Sequence, residues 1–378
     1  MRSAFPLFVA AFLTDSALYL AFAALPFRAI ELGAGPSRLG ILPTLYAGAY
    51  MSCASVAGRL SDRTPRLALA RVACAVFVLG CAGIAASPTL PVLFLAIPVL
   101  GLALAFFWSP VQAELADRFP GPGLAGAVSA FNVSWSLGKG AGLVVGGILT
   151  EALRPQPALL FAGAPILVTL AILPRARSAA RAGSVADSGA AAREPDPASA
   201  FLRLAWLTNA IAFGVGSTMN VHAPKYLLAH GAGPSAFGVL IGSVFLAQTA
   251  TFAALRLHRP RPRTLVVAYA LAAAALTAFL FAPTQVLRWA AALPLGVALG
   301  LAYQSSIHTS LDRTTGRGRA AGLHEMILGA GSSSLPLAGG AIATVTGSLA
   351  APFWLGVGAL VGGLAVVRIA LRGAGAGR

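Results

Sequence analysis

Charge is what this chain has least of. Only 10% of its 378 residues are charged and 57% are hydrophobic, whereas a soluble domain carries about a quarter charged residues. That scarcity excludes water as the solvent for most of the chain. Acids are scarcer than bases, with 11 Asp and Glu against 27 Lys and Arg, and only Lys139 and Lys225 among the bases are lysines. The three cysteines, Cys53, Cys74 and Cys81, all fall in apolar stretches, offer neither a pairing scheme nor metal-ligand spacing, and read as small packing residues. There is no H-E-x-x-H zinc site, no nucleophile elbow, and no phosphate-binding glycine loop closed by Lys-Ser/Thr. The chain therefore reads as neither an enzyme nor a cofactor protein, and it has no soluble nucleotide-binding domain for ATP drive.

Long apolar runs are abundant instead. A spanning helix needs roughly 20 mostly apolar residues, and dividing the chain at its charged and Gly/Pro-rich breaks gives twelve such segments. They lie at 5–30, 37–58, 67–87, 91–113, 124–150, 157–174, 201–229, 235–256, 264–282, 286–311, 319–345 and 350–371. The predicted class is an all-α integral membrane protein. The first segment has the look of a signal peptide, with Arg2 before it and Ala21-Phe22-Ala23 as a cleavage-like site. A full-length counterpart later in the chain predicts that it is retained.

The net charge of +16 raises nucleic acid as a partner, and charge placement decides against it. With Met1 cytoplasmic, 21 of the 27 Lys and Arg fall at cytoplasmic ends or loops. Five (Arg28, Arg38, Arg154, Lys225, Arg288) lie outside, and Lys139 is within a helix. This is the positive-inside pattern, and it puts both termini in the cytoplasm.

Residues 175–200 break the apolar pattern with Arg175, Arg177, Arg181, Asp187, Arg193, Glu194 and Asp196 among Ala, Ser, Gly and Pro. They read as a flexible cytoplasmic linker between a bundle at 1–174 and a bundle at 201–378. The two parts repeat each other. Gly33-Ala-Gly-Pro-Ser37 recurs as Gly231-Ala-Gly-Pro-Ser235, and Pro26 answers to Pro224, at an offset of 198. Asp117-Arg118 corresponds to Asp312-Arg313, and Trp108 to Tyr303, at an offset of 195. Thr14-Asp15 answers to Thr208-Asn209. Both parts start on the same side, so the repeat is parallel, a plan that places a solute site between the halves near the midplane.

Between the second and third segments the chain reads Gly58-Arg-Leu-Ser-Asp62-Arg63-Thr-Pro65-Arg66, close to the pattern G-x-x-x-D-R-x-G-R-R. The fifth segment holds Gly138-Lys-Gly-Ala-Gly142-Leu143-Val-Val-Gly146-Gly147, close to G-x-x-x-G-P-x-x-G-G. The eleventh carries a complementary copy, Gly331-Ser-Ser-Ser-Leu335-Pro336-Leu-Ala-Gly339-Gly340. In these motifs and in its architecture the chain resembles the major facilitator superfamily, and the second motif resembles that of its drug:proton antiporters. Pro65 departs from the first pattern, Leu143 and Leu335 from the second. The second-half counterpart of the first motif, Arg256-Leu-His-Arg259-Pro-Arg261-Pro-Arg263, keeps only its basic character.

The resemblance implies that Asp62, with Gly58, Arg63, Arg66, Asp117, Arg118, Asp312 and Arg313, forms a cytoplasmic gate. In it a carboxylate near a helix amino end gains roughly 0.3–1 kcal/mol, and Gly58 allows close helix approach. A solvated Asp62, with arginines that only set topology, is the plainer reading. Gly138, Gly142, Gly146, Gly147, Gly331, Pro336, Gly339 and Gly340 read as helix-packing residues, with a gating role as the alternative.

An ionisable group at the bilayer centre costs about 2.5–3.5 kcal/mol on insertion scales, so each needs a cavity or a partner. Asp15, Lys139, Glu325 and His222 are placed that way. The resemblance implies a cavity lined by segments 1, 4, 7 and 10, flanked by 2, 5, 8 and 11. Segments 3, 6, 9 and 12 are plain, with no charge in 72–87, 157–173, 264–281 or 350–367. Asp15, Tyr19 and Phe22 share one helix face, as do Asn132, Ser136 and Lys139. Asn220, His222, Tyr303 and Gln304 extend the cavity set, and Trp108 and Tyr303 suit an aromatic wall, with packing as the plainer account.

Asp15 and Glu325 are the proton-coupling candidates, because desolvation penalises the charged form of a buried carboxyl. A fixed Asp15–Lys139 ion pair is the rival reading, as is a gate position for Glu325. The expected function is proton-coupled efflux of a small organic solute by alternating access. Uptake of an organic anion through Lys139 and a non-transporting sensor or assembly protein on the same fold are the alternatives. The helices alone are expected to do the work, as a monomer. The Arg-to-Lys ratio and Ala/Gly content point to a GC-rich bacterium and its inner membrane.

Overall fold

The computed structural model describes residues 4–119, 123–174, 200–255, 260–312 and 317–376, and every regular element among them is a helix. In the first part these are α1 (Phe5–Glu31), α2 (Pro36–Arg63), α3 (Arg66–Ala86), α4 (Leu90–Arg118), α5 (Gly123–Leu153), α6 (Pro155–Phe161) and α7 (Gly163–Ile172). In the second part they are α8 (Ala200–Ala229), α9 (Pro234–Leu255), α10 (Pro262–Phe281), α11 (Gln285–Asp312), α12 (Arg317–Thr346) and α13 (Ala351–Ala376). Ala162 alone separates α6 from α7, and together they make the sixth span, Pro155–Ile172. In hydrocarbon every backbone N–H and C=O must be satisfied within the chain, and the helical ladders do this. Nine spans among the described residues are apolar enough to cross a membrane on composition alone. The three that fall short, α2, α5 and α8, are helices that the sequence expects to line or flank a cavity.

The apolar segments locate the spans, and their ends differ in one respect. The helices α2 and α4 run on to Arg63 and Arg118, beyond the last apolar residue, because Arg, Leu, Glu and Ala are good helix formers that continue the ladder into water. The Gly58–Arg66 motif is therefore not a loop. Gly58–Arg63 is the last turn and a half of α2, Arg66 opens α3, and only Thr64 and Pro65 stand between. Asp117 and Arg118 likewise belong to α4, and Asp312 to α11. Residues 175–199, the basic run Arg256–Arg259, Arg313, and the side chains of Asp62 and Asp312 lie outside the described residues.

The repeated Gly-Ala-Gly-Pro-Ser sequence forms the same turn twice. Gly33 and Gly231 adopt positive φ, 83° and 73°, a conformation only glycine takes without strain. The following amide reaches back five residues, Ala34 to Ala29 and Ala232 to Leu227, at 2.9 Å in both. This closes α1 and α8 with a Schellman cap. Pro36 and Pro234 then occupy the first position of the next helix, where a missing N–H costs nothing.

Two buried apolar clusters organise the packing. One draws only on residues between Ala4 and Leu173. The other lies between Leu204 and Val367 and takes in Ala23, Phe27 and Leu143 from the first part. The contacts between the parts run chiefly through α5 on α9 and α12 on α2. The side on which α1 begins and α13 ends is the terminal face, and the opposite side the far face.

At the far face the two helix pairs meet backbone to backbone. A side chain added at Gly147 would begin 2.5 Å from the Pro234 carbonyl oxygen, and one at Gly340 would begin 2.5 Å from that of Pro36. Conversely, a side chain at Gly238 would strike the Leu143 carbonyl and one at Gly40 that of Pro336. These four contacts are the same two contacts repeated, since Gly147 and Leu143 map onto Gly340 and Pro336 at an offset of 193, and Pro234 and Gly238 onto Pro36 and Gly40 at 198. The departure at Leu143 is tolerated for a plain reason: the touching group is a carbonyl, which leucine and proline both have.

Candidate functional site

Between the two parts lies a cavity of about 240 Å³. Its walls come from α1, α2, α4, α5, α8, α9, α11 and α12, and among the described residues none comes from α3, α6, α7, α10 or α13. The plain segments are thus the outer helices, and the polar residues face inward because burial there avoids hydrocarbon.

Asp15, Tyr19, Trp108, Asn132, Lys139, Asn220, Tyr303 and Glu325 all reach this one cavity. His222 and Gln304 do not line it. Two residues on from Asn220, His222 points 200° around the helix, into the seam with α12. There its Nε2 lies 2.9 Å from the Pro336 carbonyl, a contact that ties α8 to α12. Gln304 follows Tyr303 and is turned away by one helical step. Ser136 also departs from the expected face: it is buried and shares a 2.8 Å hydrogen bond with Thr249 of α9.

Lys139 is held by rings. Its Nζ lies 4.5 Å from the Trp135 ring centroid, 4.8 Å from Tyr19 and 5.5 Å from Phe245. A desolvated cation–π contact is worth about 2 kcal/mol, so three rings offset much of the cost of placing an ammonium there. Trp135 is itself oriented by a 2.9 Å hydrogen bond from its indole N–H to Asn132 Oδ1. No salt bridge within 4 Å joins Lys139 to Asp15 or Glu325 among the described residues; both carboxyls attract it across the cavity, and the Tyr19 hydroxyl hydrogen-bonds with it. Glu325 stands in the same cavity wall as Asp15 rather than apart at a gate. Its neighbour His324 is buried, shares a 2.8 Å hydrogen bond with Ser306, and packs edge-on against Tyr303 at 5.0 Å.

Several cavity residues were not singled out from the sequence. Tyr46 and Tyr50 of α2 stack at 6.3 Å, and Gln112, Trp135, Phe213 and Phe245 join them in the wall. The signal was present for Trp135, which with Asn132 and Lys139 fits the i, i+3, i+7 face better than Ser136 does. For Tyr46 and Tyr50 it was only the i, i+4 spacing of two amphipathic rings.

Among the expected gate residues, Arg66, Asp117 and Arg118 take part in ion pairs of the first part. Arg66 forms a salt bridge with Asp117, and Arg118 pairs with Glu114 at 2.8 Å; both pairs are internal to the first part. Among the described residues nothing lies within 4 Å of where a Gly58 side chain would begin. Among the described residues, the hydrogen bonds joining the two parts involve Ser37, Thr44, Ala34 and Glu151 with partners Thr344, Gly340, Ser333, Lys225 and Ser235, and Ser136 with Thr249. All but the last belong to the far-face half of the bundle. Lys225 is one of these ties, donating at 3.0 Å to the Ala34 carbonyl, so neither of the two lysines is a topology marker.

The motif glycines divide by partner. Side chains at Gly138, Gly142 and Gly146 would collide with Phe12, Ser16 and Leu20 of α1, turn by turn, and one at Gly331 would collide with Ala210 of α8. Gly339 faces Pro352 of α13, whereas Gly147 and Gly340 face the opposite part of the chain.

Two repeated six-span units around a largely apolar cavity that holds charged side chains, tied to each other at one face, define a multi-pass membrane transporter. The family model for the Major Facilitator Superfamily matches residues 7–317, and the chain belongs to that superfamily. Among solved structures, a variant of the nucleoside transporter NupG superposes with a TM-score of 0.76 at 12% identity, covering 97% of this chain and 98% of that one. A bacterial homologue of the human lysosomal transporter Spinster superposes in an inward-facing, occupied form with a TM-score of 0.71 at 14% identity, covering 98% of this chain and 95% of that one. Its inward-facing, unoccupied form gives 0.73 at 15%, covering 98% and 96%. At these identities the likeness is one of fold. No curated protein matches the sequence.

Proposed function

We propose that this transporter exports a small organic solute in exchange for protons, by alternating access of the central cavity to the two faces. The observation that carries this reading is the meeting of Asp15 from the first part and Glu325 from the second in one cavity wall, neither in a salt bridge. A carboxyl with no fixed cation partner is free to exchange a proton or a cationic solute as its surroundings change. The aromatic walls from Trp108, Trp135, Tyr46, Tyr50 and Tyr303 fit a solute with a flat or apolar body. The placement of arginines makes the terminal face cytoplasmic, so the described state is closed to the outside. Bundles 1–174 and 201–378 are the moving bodies and 175–200 their tether, in a monomer of the inner membrane. Direction rests on the two copies of the glycine motif.

In proteoliposomes with an imposed pH gradient, an exported solute should accumulate against its own gradient and release its gain when the proton gradient is collapsed. Accumulation that ignores the proton gradient would rule out the coupling.

One observation favours a second reading. The Lys139 ammonium faces the cavity with rings rather than a carboxylate around it, which suits a carboxylate or phosphate on the solute and hence uptake of an organic anion. Lys139→Ala separates the two. If the solute is anionic, its Kd should weaken by about 10- to 100-fold, the 1.5–3 kcal/mol of a charge-assisted hydrogen bond. If it is cationic, binding should change less than threefold. Calorimetry on the purified protein with matched cationic and anionic solutes reads the difference.

A further inference from the structure

The far face is closed by something more specific than packing. The amino end of α9 begins at Pro234 and has no acidic residue in its first turn, so its N–H groups and dipole call for an acceptor from elsewhere. That acceptor is Glu151, in the last turn of α5: its carboxylate accepts from the Ser235 backbone N–H at 2.7 Å and from the Ser235 hydroxyl. The amino end of α2 also lacks an acidic first turn. Its Ser37 backbone N–H donates to Thr344 Oγ1 of α12 at 3.2 Å, and the two hydroxyls lie 2.6 Å apart. Ser37 and Ser235 are repeat equivalents at 198, and Glu151 and Thr344 are repeat equivalents at 193. Each part therefore caps a helix of the other, from the same position and onto the same position.

We infer that these two crossed caps are the outer gate, and that Glu151, the charged one, is its stronger half. This rests on the alternating-access reading above. The caps are unequal for a chemical reason: a carboxylate at a helix amino end accepts charge-assisted bonds and complements the dipole, whereas a neutral hydroxyl accepts only an ordinary hydrogen bond. Glu151 lies one residue past the apolar segment 124–150, and its hydrogen bonds from Ser235 hold its carboxyl below the usual carboxylate range, so it is ionised at neutral pH. Neither cap survives separation of the parts at this face, since in each cap the donor moves with one part and the acceptor with the other. Beneath each cap the Gly147–Pro234 and Gly340–Pro36 contacts let the backbones come close enough for the short Thr344 and Glu151 side chains to reach.

The test is a distance measurement between spin labels at Arg38 of α2 and His230 beyond α8, both exposed and on opposite parts, in nanodiscs. Glu151→Ala should raise the ratio of far-face-open to far-face-closed molecules about tenfold. Thr344→Val should raise it two- to fivefold. Thr344→Glu, which places a second carboxylate at a vacant dipole, should lower the ratio, and Glu151→Asp should fall between wild type and Glu151→Ala. Wild-type distance distributions in Glu151→Ala and Thr344→Glu would overturn the gate while leaving alternating access intact. Failure of alternating access itself would show separately, as a cavity that never becomes accessible from the outside in any variant.

Discussion

Asp15→Asn should abolish proton-driven accumulation while leaving solute binding within about threefold of wild type. Asparagine keeps the size and most hydrogen-bonding capacity of the carboxyl and removes only the exchangeable proton. Asp15 is 4% exposed on α1 and reaches the cavity without a salt bridge, so its substitution breaks no direct ion pair, and Lys139, which it attracts across the cavity, keeps Glu325 and its ring contacts. Uphill transport in proteoliposomes should drop by at least about 100-fold, the scale of losing a positioned proton carrier, with counterflow exchange retained. Undiminished accumulation in Asp15→Asn would assign the proton to Glu325 or remove coupling altogether. Glu325→Gln in the same assay separates those outcomes.

The second large effect concerns the motif glycines, which the structure divides by partner. In Gly147→Val the new side chain would start 2.7 Å from the Gly238 Cα and 2.5 Å from the Pro234 oxygen. These are backbone atoms of the other part of the chain, so the clash exists only while the far face is closed. Overpacking of this kind costs about 1–3 kcal/mol, equivalent to a shift of roughly 5- to 150-fold in the open-to-closed ratio, with little loss of melting temperature. Gly138→Val places a side chain against the Phe12 backbone of α1, within one bundle and in every state of the cycle. It should lower thermal stability and yield without shifting the ratio. Distance distributions and melting curves on both variants check this contrast; equal behaviour of the two would mean that the motif has a single packing role.

The sequence made the spans legible because apolar runs and membrane thickness impose a simple rule, and it made the repeat legible because Gly33 and Gly231 occupy a left-handed turn conformation that favours glycine. The cavity set was readable to the extent that ionisable residues in lipid have nowhere else to go, hence the convergence of Asp15, Lys139 and Glu325. His222 was misplaced for a physical reason. A buried imidazole is accommodated as well by a helix–helix seam with an open carbonyl, that of Pro336, as by a cavity. The tyrosines of α2 were passed over because amphipathic rings raise no alarm in an apolar helix. Glu151 was passed over because an acid at a helix end looks solvated until the helix it caps, 84 residues further along, is brought beside it in space. The latch expected at the terminal face centres on Asp62, whose side chain lies outside the described residues.

The most direct test of the account is two-sided labelling of the cavity. With Cys53, Cys74 and Cys81 replaced, a single cysteine at Asn132 is exposed to a membrane-impermeant thiol reagent from one side at a time, in vesicles of known orientation. The account predicts labelling from both sides, faster from the terminal face, with far-side labelling raised about tenfold by Glu151→Ala. Labelling from one side only, in wild type and in Glu151→Ala alike, would contradict a cavity that alternates between the two faces.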